Sequence, residues 1–295
     1  MKELFTQPNP NIENPKDAVV SDIIYYATAV ISAIIFSTLL YAHAPPVTDW
    51  WGTFHKVGGV WYTPYDGGFH FAYPPWMAIV LIPFHFIEIH LSRAIWAGLT
   101  TLVCAFTIRS LRGDIATFVM LLTSIPFISL VANGQTDGVV FLGLALLTFG
   151  SIYSHMAGGI LLLAKPQTVS LALLIFWLNS ERKKELALAG ITFILATFLI
   201  WGWWVPDMIG MSQTLYAPAN WAPWPYGIPL GIILLIWGYK ENDIRYGALA
   251  TMFFAPYIAG YSFTGPLLIL YTLLPRKYAL VLHVIVNILS INYYL

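Results

Sequence analysis

Apolar runs recur along the chain with only short polar interruptions. A bilayer span takes about 20 apolar residues, because about 30 Å of hydrocarbon is crossed at about 1.5 Å per residue. By that measure the pattern predicts spans over 20–42, 93–110, 115–132, 137–153, 186–205, 227–239, 246–260, 262–275 and 278–294. Two runs depart from it. Residues 74–90, "PPWMAIVLIPFHFIEIH", are broken by Pro83 and carry His85, Glu88 and His90, so a juxtamembrane or re-entrant helix is expected there rather than a crossing. In 155–180, "HMAGGILLLAKPQTVSLALLIFWLNS", Lys165-Pro166 divides the run into two pieces too short for easy crossing, which predicts a broken helix or a hairpin with Lys165 at its turn. The expected fold is an all-α polytopic membrane protein, a helical bundle of about 9 to 11 transmembrane segments, some short or broken.

Composition excludes a soluble globular class: 58% of residues are hydrophobic and 9% charged, against about 25% charged in a soluble domain. The net charge is zero, so no global field recruits nucleic acid or an acidic partner. The first residues are polar and proline-rich and lack the basic segment and apolar core of a cleavable signal peptide, so a cytoplasmic tail over 1–19 and a retained first span are expected. Cys104 is the only cysteine and cannot pair within the chain. With no linker and no internal repeat, 20–295 reads as one membrane domain.

Basic residues sit on the cytoplasmic side of short loops. Arg109 and Arg112, "ERKKE" at 181–185, "KENDIR" at 240–245 and Arg276-Lys277 form one such set. With 74–90 not crossing and the Lys165 region a hairpin of two half-spans, the whole set falls on one side with the N-terminus. A first loop over 43–92, the "NGQTDG" turn at 133–138 and a second loop over 206–226 then share the outer face.

The first loop is the least ordinary part of the pattern. Thr48 to Trp76, "TDWWGTFHKVGGVWYTPYDGGFHFAYPPW", holds two aspartates, two histidines, a lysine and seven tryptophans or tyrosines, where a helix connection needs only about 2 to 8 residues. Asp49 stands where the first span meets water, between that span and Trp50-Trp51; partial dehydration there raises a carboxylate's proton affinity toward that of a general base, with a solvated loop acid as the competing reading. "NGQTDG" places two amides and a carboxylate between apolar helices, which suits either a wet cavity or a tight turn. Lys165, within an apolar run, needs to snorkel, pair or face a cavity, and a phosphate is a suitable counter-ion. The seven histidines show no zinc-binding spacing, and no Walker A, GxSxG or D-x-D motif occurs, so neither metal nor cofactor is expected. The tryptophans at 201–204 and 221–224 fit an interfacial belt.

Taken in order, "TDWWGTFHKVGGVWYTPYD", "FAYPPWMAIVLIPF", "NGQTDGVVFLGLALL", "AGGILLLAKPQ" and "FAPYIAGYS" resemble the polyprenyl-phosphate-sugar-dependent transferases of glycosyltransferase family 87, multispanning enzymes of the C-type glycosyltransferase (GT-C) fold. The resemblance extends over roughly residues 20 to 265. It implies a membrane hexosyl- or pentosyltransferase that moves a sugar from a polyprenyl phosphate to a glycan, lipid or protein hydroxyl outside the cytoplasm. In such enzymes the catalytic acid follows the first span, which here is Asp49, with Asp66 in reserve. Lys165, or else Arg93, would stabilise the leaving phosphate; Asn133 and Gln135 would position substrate, and Tyr73 and Tyr261 would line its site. Two other classes stay open: a non-catalytic scaffold or subunit of a larger membrane complex, and a small transporter or lipid flippase with its site at Lys165.

Overall fold

In a computed structural model, residues 15–43, 49–68, 70–214 and 220–294 are described. Residues 1–14 of the expected tail, 44–48 and 69 of the first loop, and 215–219 of the second lie outside them. Among the described residues there is no β-strand.

The first helix, α1 (Pro15–His43), is followed by the first loop, which holds a π-helical turn at Trp50–Phe54, the short α2 (His55–Val57), a 3₁₀ turn and α3 (Trp76–His85). Then come α4 (Ile89–Ser110), α5 (Ile115–Leu122), α6 (Ile125–Asn133), α7 (Asp137–Leu146) and α8 (Ile152–Leu162). The chain continues through α9 (Pro166–Val169), α10 (Leu171–Asn179), α11 (Lys183–Trp201) and α12 (Val205–Thr214). It closes with α13 (Ile228–Glu241), α14 (Ile244–Phe254), a 3₁₀ turn at Gly260–Phe263, α15 (Thr264–Leu273) and α16 (Arg276–Tyr294).

Three helices, α1 from Val19, α4 and α11, are long and apolar enough to cross a bilayer alone, and α5 with α6 makes a fourth if the bent pair counts as one span. The protein is thus a helical polytopic membrane protein. The predicted continuous span over 115–132 is instead bent by 64° between α5 and α6. Pro126 lacks the N–H that would carry α5 onward, and the Ser124 hydroxyl caps the new helix by accepting from the Phe127 N–H at 3.4 Å. The apolar run over 137–153 likewise divides, because α7 stops at Leu146 and Ser151 caps α8. As for 74–90, α3 has 10 residues and reaches about 15 Å, half the hydrocarbon thickness. Glu88 ends that segment by capping α4, its carboxylate accepting from the His90 and Leu91 N–H groups at 3.0 and 2.9 Å.

The long helices differ in surroundings. Ala97, Cys104 and Ile108 of α4 are buried in the main core with Phe118, Phe127, Phe141 and Leu268, whereas α1, α11, α13 and α16 present Ile31, Leu199, Ile233 and Ile288 outward at the rim. Antiparallel α1 and α4 are joined by an Asp22–Arg109 ion pair at 2.5 Å and by bonds from Tyr25 to the Ala105 carbonyl and Ser37 to the Ala94 carbonyl. Where α7 crosses α8, a Cβ on Gly143 would lie 2.8 Å from the Gly158 carbonyl oxygen and the reverse holds too, so only glycine permits the approach. α8 and α10 run antiparallel as a hairpin, with His155 against Phe176 at 4.6 Å between ring centres and Gly159 against Leu173. Lys165 is at its tip.

The bundle has two chemically distinct ends. At one, Arg109 pairs with Asp22, Arg276 with Asp114 at 2.5 Å, and Arg245 binds Asp243 and the Thr272 carbonyl. At the other, the Trp201 indole donates to the Trp61 carbonyl at 2.9 Å, tying the end of α11 to the first loop. That loop has a core of its own, made of Trp50, Phe54, Val57, Phe71, Met77, Leu81 and Phe84 with Trp96 of α4.

The α5–α6 bend is completed from α16. Asn287 accepts from the Ile125 N–H at 2.8 Å and donates to the Thr123 carbonyl at 3.3 Å, replacing bonds that a continuous helix would make within itself. Asn287→Leu keeps the volume and removes both partners. Each group left unsatisfied costs about 1–3 kcal/mol, so thermal unfolding of the detergent-solubilised variant is expected several degrees below the parent; an unchanged midpoint would show that the bend holds without α16.

Candidate active site

The residues of interest converge at the loop-rich end of the bundle. Asp49 directly precedes the π-helical turn, whose first residue, Trp50, is fully buried, stacks beside Trp96 at 5.3 Å between ring centres and donates from its indole to the Ser92 hydroxyl at 3.1 Å. The anchored tryptophan fixes the backbone from which Asp49 projects. Trp50 also meets the turn between α6 and α7. Gly134 there has a φ of +67°, and a Cβ on it would come within 2.8 Å of the Trp50 Cβ, so a left-handed backbone and a close approach both demand glycine. Gln135 follows at once, and Asp137 opens α7.

Lys165 arrives from a third direction. Because it precedes Pro166 it is kept out of the helical region, with φ of −145° and ψ of 76°. The hairpin therefore turns at Lys165.

These three approaches meet in a continuous polar chain. The Gln135 amide N–H donates to the Asp49 carboxylate. Its oxygen accepts from the Lys165 ammonium at 3.4 Å. That ammonium donates to Asp137 at 2.6 Å, and the Thr168 hydroxyl donates to the other Asp137 oxygen at 3.4 Å. The rings of Tyr261 and Tyr73 flank the ammonium, their centres 5.0 and 6.0 Å away. Gln135, Asp137 and Lys165 are 1%, 0% and 3% exposed, whereas Asp49 is exposed, so the chain runs from the buried interior to a carboxylate that solutes can reach. Although Asp49 is open on one side, nearby side chains dehydrate its carboxyl and raise its pKa above that of an ordinary aspartate, with the Lys165 charge and the Gln135 hydrogen bond pulling the other way.

Of the residues singled out in the sequence, Asp49, Gln135, Lys165, Tyr73 and Tyr261 are thus brought together. Asn133 folds back onto Ser129, donating to its carbonyl at 2.8 Å. Arg93 is fully buried and donates to the Ala132 carbonyl at the end of α6. Asp66 is exposed in a turn closed by its own N–H to the Thr63 carbonyl at 3.1 Å. Sequence reasoning assigned no part to Asp137 and Thr168, and looked to phosphate as the counter-ion of Lys165. The structure supplies a protein counter-ion, Asp137. The signal for it was present: a lysine in an apolar run calls for a carboxylate, and Asp137 stands between two apolar helices.

A family model described as glycosyltransferase family 87 matches residues 71–240, more than half of the chain. The matched segment includes Tyr73, Gln135, Asp137 and Lys165, while Asp49 precedes it and Tyr261 follows it. No match is found among curated proteins or among solved structures.

The Lys165–Asp137 pair is almost wholly withdrawn from water. Removing one partner of a buried pair leaves an uncompensated charge and costs about 3–5 kcal/mol. Lys165→Met alone is therefore expected to lower the unfolding midpoint strongly, and adding Asp137→Leu to recover most of the loss. If the double variant is no more stable than the single one, the two residues are not energetically coupled.

Proposed function

The chain belongs to glycosyltransferase family 87, and from that premise we propose that it is a membrane enzyme transferring a sugar from a polyprenyl-phosphate donor to an acceptor hydroxyl outside the cytoplasm, with inversion. The observation that carries this reading is the Gln135 bridge, which holds an exposed carboxylate and a buried cation in one hydrogen-bonded chain. Transfer from a phosphate ester needs a base for the acceptor and positive charge for the leaving group, and these two side chains supply them.

In this mechanism the acceptor hydroxyl lies against Asp49, which takes its proton as the oxygen attacks the anomeric carbon from the face opposite the phosphate. The bond from that carbon to the phosphate oxygen breaks, and its electron pair leaves with the polyprenyl phosphate. The leaving group already carries charge, so it calls for electrostatic stabilisation more than for a proton. Lys165 has three N–H donors, of which Asp137 and Gln135 engage two, and the remaining one serves the phosphate. Tyr73 and Tyr261 form the walls beside it.

Orientation follows from the gathering of Arg109, Arg245 and Arg276 at one end, which the positive-inside rule makes cytoplasmic. The candidate site then faces outward. In a Cys104→Ala background, Asp66→Cys and Asp207→Cys are expected to react with an impermeant thiol reagent applied to intact cells; reaction of either only after permeabilisation would reverse or break this topology.

Asp49→Asn preserves shape and removes the base. Loss of a positioned base costs about 10²- to 10⁴-fold in rate, so the variant is expected to fold, to retain polyprenyl-phosphate sugar and to transfer almost nothing, whereas Asp66→Asn transfers at the parent rate. A parent-like rate for Asp49→Asn would place the base elsewhere. A parent protein inactive with every polyprenyl-phosphate sugar would favour the scaffold.

A further inference from the structure

One charged residue at the site has no part in the reaction as written. Asp137 is wholly buried at the start of α7, one oxygen on the Lys165 ammonium and the other on the Thr168 hydroxyl. We propose that Asp137 is a positioning residue, which fixes the Lys165 ammonium and through the Gln135 amide sets both the orientation of Asp49 and the electric field in which it works. The inference rests on the reading of Asp49 as base.

The two ends of a glutamine side chain have nearly the same shape, so packing alone does not decide which end faces Asp49. Lys165 decides it, because an ammonium only donates and so demands the Gln135 oxygen, leaving the amide N–H for Asp49. Lys165 in turn keeps its charge in apolar surroundings because Asp137 accepts from it at 2.6 Å. Thr168, three residues after Lys165 in the same hairpin, holds the second Asp137 oxygen, so one carboxylate fastens the hairpin tip to α7 at two points. The orientation of the exposed acid is thereby traced to a residue that no substrate touches.

The same arrangement has an electrostatic consequence. Asp49 is faced by Lys165 from the hairpin, with Asp137 of α7 behind it, Tyr73 from the first loop and Tyr261 from the turn before α15. The Lys165 charge eases proton release from Asp49, and Asp137 is the counter-ion that keeps Lys165 charged. Neutralising Asp137 leaves Lys165 without the counter-ion that keeps it charged, so Asp49 loses the nearby cation and holds its proton more tightly.

The test reads Asp49 directly and needs no substrate. The infrared carboxyl stretch of the full-length detergent-solubilised protein, recorded against pH with Asp49→Asn as the blank, isolates the Asp49 titration. In Asp137→Asn its midpoint is expected to rise by about one unit, as follows from losing the Lys165 charge nearby at the effective dielectric of a partly wet site. In Asp137→Glu, which keeps the charge, the midpoint is expected to stay. Should Asp137→Asn fail to fold, Thr168→Val, which frees one Asp137 oxygen and leaves Lys165 and Gln135 in place, is expected to move the midpoint in the same direction by a smaller amount. An unmoved midpoint in whichever of these two variants folds overturns the proposal, because a merely structural Asp137 would leave it where it is. The reading of Asp49 as base fails on a separate measurement, retained transfer by Asp49→Asn.

Discussion

An ammonium and a carboxylate withdrawn from water are tolerated in this bundle only side by side. Lys165 comes from the tip of a hairpin and Asp137 from the first position of a helix that begins 28 residues earlier in the chain. Neither group is affordable alone in an apolar interior, so the pair selects the arrangement in which tip and helix start coincide. The rest of the site inherits its geometry from that coincidence. Gln135 lies two residues before Asp137 and within reach of Lys165, and the tyrosine rings from two further segments close around the same cation.

The first loop explains its length by what it buries. Trp50, Phe54, Phe71 and Phe84 form a small core against Trp96, outside the main core of the bundle. A carboxylate on a flexible connection would sample many positions and lose effective concentration at the site. Here the residue after Asp49 is locked by rings on one side and by Gly134 on the other. An exposed acid is therefore held with the rigidity of an interior position, which is the condition for preorganised chemistry.

Much of this was legible in the sequence, for identifiable reasons. Lys165-Pro166 at the tip of a hairpin follows from a charge and a helix breaker inside an apolar run, signals that depend on a few neighbours. The end of one helix and the start of the next within 74–90 follows in the same way from Glu88, which proved to be a helix cap, whereas the break expected at Pro83 is absent because α3 runs through it to His85. The α5–α6 bend was missed because its stabilising partner, Asn287, is 162 residues away and nothing local announces it. Asn133 was drawn into the site by its place in "NGQTDG", yet its bond to Ser129 depends on one helical turn of backbone that the motif does not specify. Asp137 was visible as a carboxylate, but only the spatial meeting of three segments shows what it opposes.

Asn287 also has a meaning in time. The backbone groups it satisfies, at Thr123 and Ile125, leave the ribosome long before it does. At about 5–20 residues per second, the interval over 162 residues is about 8 to 30 s. During that interval the exposed carbonyl and N–H must find water, lipid headgroups or the insertion machinery as interim partners. The bend between α5 and α6 is thus a structure that the nascent chain prepares early and completes only when α16 arrives, which makes the order of helix insertion part of how this membrane fold is specified.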